Sequence, residues 1–354
     1  MLYRPRLPGQ RAQALQTVHM ADALARRGHV VTVLADRGDA PHTVAAALAR
    51  VGLSESPRLQ LRIAPIGQRG LAGMWFRYAL AKWWKGPPGV VYARDLRRLT
   101  EAVQRHGTRH QVVLEVHGQG ASAGQDNVKN GVLEIEAAAA AVADVVVANC
   151  EGTAEAWRQA HGLTGVKVAH NATASARLRG PVPSDGVVRV VGSLRSYKGW
   201  TGVLSAADGP GLRAPLEIVG GSVRQLPGPL PAGVTVRPPA PHHAIPDLLA
   251  RSAALLLPLD DNRFGRELTS PLKLWDYLAT ATPLVLPDLP SIHRALAAVA
   301  ADALSAAWYI PGHPESLRAA VDLAVCAPRR PPVLRTWDDR VAELGQVLDG
   351  PRSP

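Results

Sequence analysis

The sequence predicts an α/β protein made of two doubly wound parallel-sheet domains. Short β-branched runs alternate along the chain with stretches rich in Ala, Leu and Arg, which is typical of parallel strands joined by helices. The alternation stops at a segment rich in Pro and Gly, residues 179–186, and then restarts. At 354 residues the chain is long enough for two domains, each with its own core. We expect a ligand in the central cleft between two such domains.

The first half contains one clear helix and four clear strands. The helix covers residues 11–27, with Leu15, Val18, Ala21 and Leu24 on one face, and Gly28 follows it in the usual C-terminal position. The predicted strands are Val30–Ala35, Val112–Val116, Val145–Ala148 and Val166–Ala169. Only residues 1–4 are available for an earlier strand, so we expect either a very short first strand or a true start codon upstream, and we favour the second.

The second half repeats the alternation. Its predicted strands are Val187–Val191, Leu216–Val219, Val234–Val236, Ala254–Leu257 and Leu284–Leu286, and Leu334–Leu348 is a final helix. The expected organisation is an N-terminal domain at 1–180, a linker at 181–186, a C-terminal domain at 187–332 and a last helix at 333–354.

Composition narrows the class of partner. The formal net charge is +11 with a pI near 10.2, which favours an acidic partner such as a phosphorylated ligand, an anionic lipid or a nucleic acid. The Arg residues are scattered and no nucleic-acid-binding motif is present, so we expect no nucleic acid. No apolar run is long enough for a membrane span, no secretory signal is visible, and the two cysteines suggest no disulfide framework. A cytoplasmic protein is expected.

The histidines show no metal-ligand spacing. His242 and His243 follow prolines and are predicted to open a helix rather than to bind zinc. No metal and no cofactor are expected.

The segment Ser270–Ala279 predicts a helix that begins at an anion. Ser270 suits the N-cap, Pro271 suits the first helical position, and Lys273 lies in the first turn, where the macrodipole disfavours a cation unless an anion is close. A phosphate group would satisfy both the free backbone amides and the lysine. The alternative is an ordinary capped helix with a solvated lysine.

Two further motifs follow predicted strands. Val191–Gly199 places Lys198 after a glycine-containing turn, where the side chain can reach an anion at the carboxyl edge of the sheet. Leu216–Gly221 ends another strand with the pair Gly220-Gly221. Taken alone, the segment Val191–Gly199 would be interpreted as an ordinary turn with Lys198 on the surface.

Together these motifs resemble the retaining glycosyltransferases of the GT-B fold, of the family-4 type also called glycosyltransferase group 1. The segment 270–290 is similar to the family's SPLKLFEYMAAGKPIVASDLP block, and 192–199 to its GRL…KG loop. Leu24–Val33 resembles its first helix-to-strand turn. The segments Val91–Asp95 and Leu114–His117 resemble its "vyaRd…E.H" pair, and Thr336–Arg340 resembles a tail helix that crosses back onto the N-terminal domain. This resemblance implies two Rossmann-like domains, of which the first binds the acceptor and the second binds a nucleotide-sugar.

The resemblance also implies residue roles. Lys198, Ser193, Arg195, the amides near Ser270, Pro271 and Leu272, and Gly9 would hold the donor diphosphate. His117 would contact the donor sugar near the reacting carbon. Asp276, Glu267, Leu268 and Gly220 would contact the donor sugar or nucleoside.

Departures from the family pattern fall at the donor site. Leu268 stands where the first of two glutamates is common, with Glu267 one residue out of register, and Asp276 stands in place of the second. Ser193 replaces the arginine of the GRL loop, so Arg195 is expected to take over its charge.

Several side chains have a plainer interpretation. His117 could be a buried structural histidine, Glu115 could only orient a loop, and Arg94 with Asp95 is predicted to be a surface ion pair. The aromatic residues of 75–84, interleaved with Arg77, Lys82 and Lys85, form either a helix packed on its own domain, which we favour, or a membrane-interface patch.

The leading hypothesis is a metal-independent glycosyltransferase that moves a sugar from a nucleotide-diphosphate sugar to a small-molecule, glycan or lipid-linked acceptor with retention. It would act in the cytoplasm, with peripheral contact to an anionic inner-membrane face, in cell-envelope or secondary glycan or glycolipid synthesis. Two alternatives stay open: a nucleotide-sugar 2-epimerase on the same fold, and a non-catalytic nucleotide-sugar-binding homologue.

Overall fold

The computed structural model describes residues 1–2, 6–7, 12–37, 43–64, 69–118, 120, 131–195, 198–299 and 306–348. The chain divides into two compact units. Unit 1 comprises Met1–Asn171 with Trp337–Pro354, and unit 2 comprises Ala172–Thr336.

Unit 1 is a parallel α/β layer structure. Its strands are β1 (Arg6–Leu7), β2 (Val31–Arg37), β3 (Leu59–Ile63), β4 (Val90–Ala93), β5 (Gln111–Val116), β6 (Val145–Ala148) and β7 (Val166–Val168). Its helices are α1 (Ala12–Arg26), α2 (Val44–Ala49), α3 (Arg69–Trp84), α4 (Leu96–His106), α5 (Val132–Ala141) and α6 (Glu151–His161).

The strands of unit 1 pair in the orders β1-β2-β3 and β4-β5-β6-β7, and every pairing is parallel. A parallel bridge between Leu2 and Ala93 connects the start of the chain to β4. The strand order therefore reverses between β1 and β4, and such a switch point is where doubly wound sheets bind ligands, at the carboxyl ends of the strands.

Unit 2 is a single six-stranded parallel sheet with helices. Its strands are β8 (Val188–Val191), β9 (Leu216–Val219), β10 (Val234–Arg237), β11 (Ala254–Leu256), β12 (Leu284–Pro287) and β13 (Ala306–Tyr309). Its helices are α7 (Trp200–Ala207), α8 (Ile245–Arg251), α9 (Arg263–Glu267), α10 (Leu272–Leu278), α11 (Pro290–Ala297) and α12 (Pro314–Cys326).

The sheet order in unit 2 is β10-β9-β8-β11-β12-β13. Numbered within the unit this is 3-2-1-4-5-6, the order of the dinucleotide-binding fold. The switch point lies between β8 and β11. The fold predicted from the sequence, α/β with two Rossmann-like parallel-sheet units, is therefore confirmed.

The last helix, α13 (Trp337–Leu344), belongs to unit 1 and packs against α1. The division between units also lies earlier than the predicted linker at 181–186. Residues 172–179 are tied to unit 2 because Thr173 N donates to Arg335 O (2.9 Å) and Arg179 N donates to Ala279 O (2.9 Å). The Pro/Gly-rich segment is a loop of unit 2, ahead of β8.

The predicted strands are all present, with ends that differ by no more than two residues. Strands β3, β4 and β13 were not predicted from the sequence. Buried and exposed residues alternate in β3, and β4 lies within the motif Val91–Asp95. His242–Ala244 forms a short 3-10 turn that leads into α8, so the predicted helix opening at His242 is confirmed.

No helix within the described ranges combines the length and the apolar character needed to cross a membrane.

Candidate functional site

Two glycines bring the backbone of unit 2 into close contact at the carboxyl edge of its sheet. Gly192 follows β8 and Gly220 follows β9. A Cβ on Gly220, whose φ is +140°, would lie 2.4 Å from Gly192 O. A Cβ on Gly192, whose φ is +125°, would lie 2.4 Å from Lys273 Cε. Both positions therefore need glycine, and they place the side chain of Lys273 directly over the end of β8.

Among the described residues, Lys273 has no counter-ion at this edge. Its Nζ is buried and, within the described part of the chain, has no hydrogen-bond partner. Burial, followed by the adjacent charge of Lys198, holds the pKa of Lys273 well below its usual range. An unpaired buried ammonium is costly, so this arrangement indicates a position that an anion completes.

Lys198 is the second cation of the site. Its Nζ donates to Ser193 O (2.7 Å) and Ser193 Oγ (3.2 Å). Burial and the nearby charge of Arg195 lower the pKa of Lys198 to about 8, while its contact with Lys273 opposes the shift. The described residues give neither lysine a carboxylate partner. The structure thus brings together Ser193, Arg195, Lys198 and Gly220 of the predicted donor residues, with Lys273 beside them.

The helix at this edge begins one residue later than predicted. Helix α10 starts at Leu272 with Pro271 at the N-cap, and there is no side-chain cap hydrogen bond. Ser270 is therefore not the N-cap: it is buried, and its Oγ accepts from Trp275 Nε1 (3.4 Å). Pro271 has no N–H to donate to a ligand, which leaves Leu272 as the first helical residue that can.

Asp276 has partners within unit 2. It accepts a hydrogen bond from Thr173 Oγ1, and Arg177 Nε lies 3.3 Å from its Oδ1. Arg177 Nη2 also lies 2.9 Å from His242 Nδ1, and burial together with the charge of Arg177 lowers the pKa of His242 to about 4. The carboxylate predicted to face a ribose is thus already held by an Arg and a Thr, with lone pairs left over for a hydroxyl.

The remaining predicted donor residues differ in exposure. Glu267 ends α9, is half exposed and lies 3.6 Å from Arg263 Nε. Leu268 is 3% exposed, so its side chain is part of the interior. Gly9 lies outside the described residues.

In unit 1, His117 follows the carboxyl end of β5 and contacts Glu115 on the same strand. His117 Nε2 hydrogen-bonds to Glu115 Oε1. Because an ionised carboxylate only accepts, the proton of the neutral ring is on Nε2, and Nδ1 keeps its lone pair. Burial and the charge of Arg94 lower the pKa of His117 to about 4, so the ring is neutral at pH 7. This histidine is half-buried, with 18% of its side chain exposed, and it is not an inert core residue.

Glu115 is the centre of a buried polar network. Burial alone would raise its pKa, but the charge of Arg340 and the contact with His117 hold that pKa well below the usual range. Gln16 Nε2 donates to Glu115 Oε1 (2.6 Å), and the Tyr92 hydroxyl donates to Oε2. Burial and the neighbouring carboxylate raise the pKa of Tyr92, so its proton stays in place.

Arg94 is part of this network and not of a surface ion pair with Asp95, which corrects the sequence interpretation. Arg94 Nη1 donates to Gln16 Oε1 (2.7 Å). Asp95 instead caps α4 by accepting from Arg98 N (3.2 Å) and pairs with the Arg98 side chain (2.8 Å). Aspartate is a favourable N-cap residue, and this competing role explains the difference.

A small open pocket adjoins the network, and both polar and apolar side chains line it. The lining residues are Arg94, Leu96, Glu115, Val116, His117 and Trp157. It lies at the carboxyl ends of β4 and β5, next to the switch point of the unit 1 sheet.

Sequence reasoning missed Gln16, Tyr92 and Arg340 as site residues. A signal existed for Arg340, since it occupies a core-facing position of α13 together with Trp337, Val341 and Leu344. Across the described residues, no group of three or more His, Cys, Asp or Glu side chains could hold a metal ion.

Comparison with known proteins agrees with this geometry. Residues 13–177, just under half of the chain, match the family model described as Glycosyltransferase Family 4. No curated protein sequence matches the chain.

Solved structures match over nearly the whole chain. Sucrose-phosphate synthase from Thermosynechococcus elongatus has a TM-score of 0.65 at 16% identity, covering 96% of this chain and 89% of that one. HepE of Anabaena, in complex with UDP and glucose, has a TM-score of 0.60 at 14% identity, covering 98% and 94%. The UDP-forming α,α-trehalose-phosphate synthase of Burkholderia vietnamiensis has a TM-score of 0.56 at 14% identity, covering 94% and 91%.

At these identities the structural matches establish the fold, and the family model adds a match over residues 13–177. The fold that the motif resemblance predicted is confirmed: the chain has the GT-B fold, and residues 13–177 are similar to Glycosyltransferase Family 4.

Proposed function

We propose that the protein transfers a sugar from a nucleotide-diphosphate sugar to an acceptor, with retention at the anomeric carbon and without a metal ion. The observation that carries the proposal is the pair Lys198 and Lys273. Two ammonium groups lie together at the switch-point edge of a dinucleotide-type sheet, and no carboxylate among the described residues neutralises them.

A diphosphate fits these two lysines by charge and by geometry. Its oxygens accept hydrogen bonds from both ammonium groups, and the absence of side chains on Gly192 and Gly220 keeps the backbone close. Ser193, Arg195 and the amides near Ser270 and Leu272 are the further groups proposed to hold it. HepE, a structural relative, is described in complex with UDP and glucose, which supports a nucleoside diphosphate as the class of ligand.

The same groups favour the departure of the nucleotide. As the bond between the anomeric carbon and the phosphate oxygen breaks, negative charge grows on the leaving diphosphate, next to Lys198 and Lys273. Preorganised donors of this kind are worth about 10²–10³ in rate. The lysines can supply the positive charge that a metal ion supplies in other transferases, which is the basis for proposing a metal-independent reaction.

Retention requires the new bond to form on the face that the diphosphate leaves. We propose that the acceptor oxygen attacks on that face and that its proton passes to an oxygen of the departing phosphate. His117, neutral and with Nδ1 free to accept, is proposed to contact the donor sugar near the reacting carbon. Asp276, Glu267 and the backbone at Leu268 and Gly220 are proposed to contact the nucleoside or sugar.

We further propose a cytoplasmic protein that makes peripheral contact with an anionic membrane. The aromatic residues Phe76 and Trp84 of α3 are buried in the core of unit 1. The opposite face of α3 exposes Leu71, Met74 and Tyr78 beside basic residues. An apolar stripe flanked by positive charge suits an anionic lipid surface.

The test of the donor site is nucleoside diphosphate binding by isothermal titration, with UDP and other diphosphates as probes. Lys273→Met removes a charge that is buried and unpartnered in the free protein. We expect it to raise the free energy of unfolding and at the same time to weaken diphosphate binding by about 10- to 100-fold, the value of one or two charge-assisted hydrogen bonds.

Arg213→Ala is the matched control. Arg213 is exposed and precedes β9 at its amino end, opposite the glycine edge, so its loss should leave binding and stability unchanged. Wild-type affinity in Lys273→Met, or a loss of stability without a loss of binding, would show that Lys273 is a structural residue and that the donor site is elsewhere.

A further inference from the structure

Arg340 of the C-terminal helix reaches the centre of the His117 network. Arg340 and Glu115 are separated by 225 positions in the sequence, yet Arg340 Nη2 donates to Glu115 Oε1 over 3.1 Å. The two side chains are 0% and 1% exposed. Removing either partner of a fully buried ion pair is strongly destabilising, because it leaves an uncompensated charge in the interior.

The guanidinium of Arg340 uses its whole fork of donors. Besides Glu115, its partners are His170 O (3.0 Å), Ala169 O (3.3 Å), Met20 Sδ (3.3 Å) and the Tyr92 hydroxyl (3.5 Å). These contacts lie on three different elements of unit 1 and on the segment after β7. They fix the position of the guanidinium, and lysine could not make them all.

Glu115 is in turn fixed from several sides. Its Oε1 accepts hydrogen bonds from Arg340, Gln16 and His117, and its Oε2 accepts one from the Tyr92 hydroxyl. The orientation of His117 therefore depends on a carboxylate that Arg340 holds in place. The outer part of α13 is attached separately, because Asp338 Oδ2 pairs with Arg26 Nη2 on α1 (2.9 Å), outside the network.

Burial is the largest reason that the pKa of His117 is low, the charge of Arg94 is the next, and the charge of Arg340 acts in the same direction. The titratable and charged groups that face it in the described residues are Glu115 on β5, Arg94 after β4, Tyr92 on β4 and Arg340 on α13. With Arg340 present, the Glu115 carboxylate already has a cationic partner. Protonation of His117 would therefore add a second cation beside a carboxylate that is already paired. Without Arg340, the charge of Arg94 would remain near Glu115, and an imidazolium at His117 would gain the carboxylate partner that Arg340 had occupied.

We propose that Arg340 is a positioning residue that keeps Glu115 as a paired carboxylate and thereby holds His117 neutral, with Nε2–H on Glu115 and Nδ1 free to accept a hydrogen bond. The C-terminal helix thus completes the site in unit 1. The significance of His117 for transfer rests on the proposed function, whereas its charge state and tautomer do not.

The experiment is ¹⁵N NMR of the histidine side chains of the full chain between pH 4.5 and 8, with His117 assigned by the loss of its signals in His117→Asn. In the wild type we expect the neutral Nε2–H tautomer to predominate throughout, with protonation beginning only near the lower end of the range. In Arg340→Met we expect a higher midpoint, so that protonation of His117 falls within the measured range. A wild-type titration in Arg340→Met would overturn the proposal.

Asp338→Asn is the matched control on the same helix. It removes the outer Arg26–Asp338 pair and leaves Glu115 untouched, so His117 should titrate as in the wild type. An equal shift in Asp338→Asn would mean that any loosening of α13 has this effect, and would also overturn the proposal.

Arg340→Met could fail to fold, because it strands the Glu115 carboxylate in the interior. The double variant Glu115→Gln with Arg340→Met removes both buried charges, and we expect it to fold with His117 neutral. A protonated His117 in that variant at pH 6 contradicts the proposed charge balance.

If sugar transfer is observed, the kcat and KM of Arg340 variants provide a second test of the positioning role. Arg340→Lys keeps the charge but not the fork of donors, so we expect kcat to fall several-fold with an unchanged KM for the donor. The NMR result stands whether or not transfer is found, so failure of the proposed function and failure of this inference are distinguishable.

Discussion

Lys198 and Lys273 give the donor site a pH dependence that can be measured. The pKa of Lys198 is lowered to about 8 in the free protein, and a bound diphosphate would raise it again. Binding above pH 8 therefore takes up a proton. By linkage, we expect the dissociation constant for UDP to rise with pH above 8, by up to about tenfold per pH unit for each proton taken up.

Isothermal titration between pH 7 and 9.5, in two buffers of different ionisation enthalpy, measures this proton uptake directly. Lys198→Arg, which stays charged, should reduce the number of protons taken up, while Arg213→Ala should match the wild type. An affinity that is constant from pH 7 to 9.5, with no proton uptake, would contradict the pairing of these lysines with the ligand.

At this scale the sequence located the residues of unit 2 better than those of unit 1. Lys198 follows a strand in a glycine loop and Lys273 opens a helix, so local patterns are enough to flag both. Glu115 and Arg340 are far apart in the sequence, and only the packing of α13 against α1 brings them together. The sequence predicted an ion pair between Arg94 and Asp95, whereas in the structure Asp95 is the N-cap of α4.

Among the elements, α3 carries the proposed membrane contact. Leu71, Met74 and Tyr78 are exposed at helical spacing, and Arg77, Lys82 and Lys85 are also exposed. Each basic residue near an anionic surface contributes about 1 kcal/mol. We expect Lys82→Glu with Lys85→Glu to weaken binding to phosphatidylglycerol vesicles by at least about tenfold in a flotation assay.

The matched control for the vesicle assay is Arg213→Glu with Arg224→Glu, which makes the same change in net charge on exposed residues of unit 2. It should leave vesicle binding near the wild-type level. If both double variants lose binding equally, net charge alone explains the attraction, and if the wild type does not float with anionic vesicles, α3 has another role.

The boundaries of elements were less predictable than their existence. Ser270 has the composition of an N-cap, but its hydroxyl lies within 3.4 Å of the Trp275 indole nitrogen and helix α10 begins after Pro271. Local preference cannot foresee a side-chain partner five residues away that is set by packing. Strand β3 has the apolar–polar alternation of a half-buried strand, so the sequence contained a signal that was missed.

In the whole molecule, the parallel doubly wound architecture was the most predictable feature, because the alternation of strands and helices predicts it. The strand order 3-2-1-4-5-6 of unit 2 was not predicted, since a doubly wound chain can also take other orders. The division of the chain was less predictable. Composition marks the Pro/Gly-rich segment, whereas hydrogen bonds at Thr173 and Arg179 place the division before it.

The central claim concerns the whole protein: a sugar leaves a nucleotide diphosphate and joins an acceptor. The most direct measurement is ³¹P NMR of a panel of nucleotide-sugars incubated with the protein and candidate acceptors, together with product analysis. We expect one donor to yield free nucleoside diphosphate and a glycosylated acceptor, about 100-fold more slowly in Lys198→Ala and His117→Ala and unchanged in Arg213→Ala. Bound nucleotide with no diphosphate released from any donor, or a 2-epimer formed without acceptor, would contradict the account.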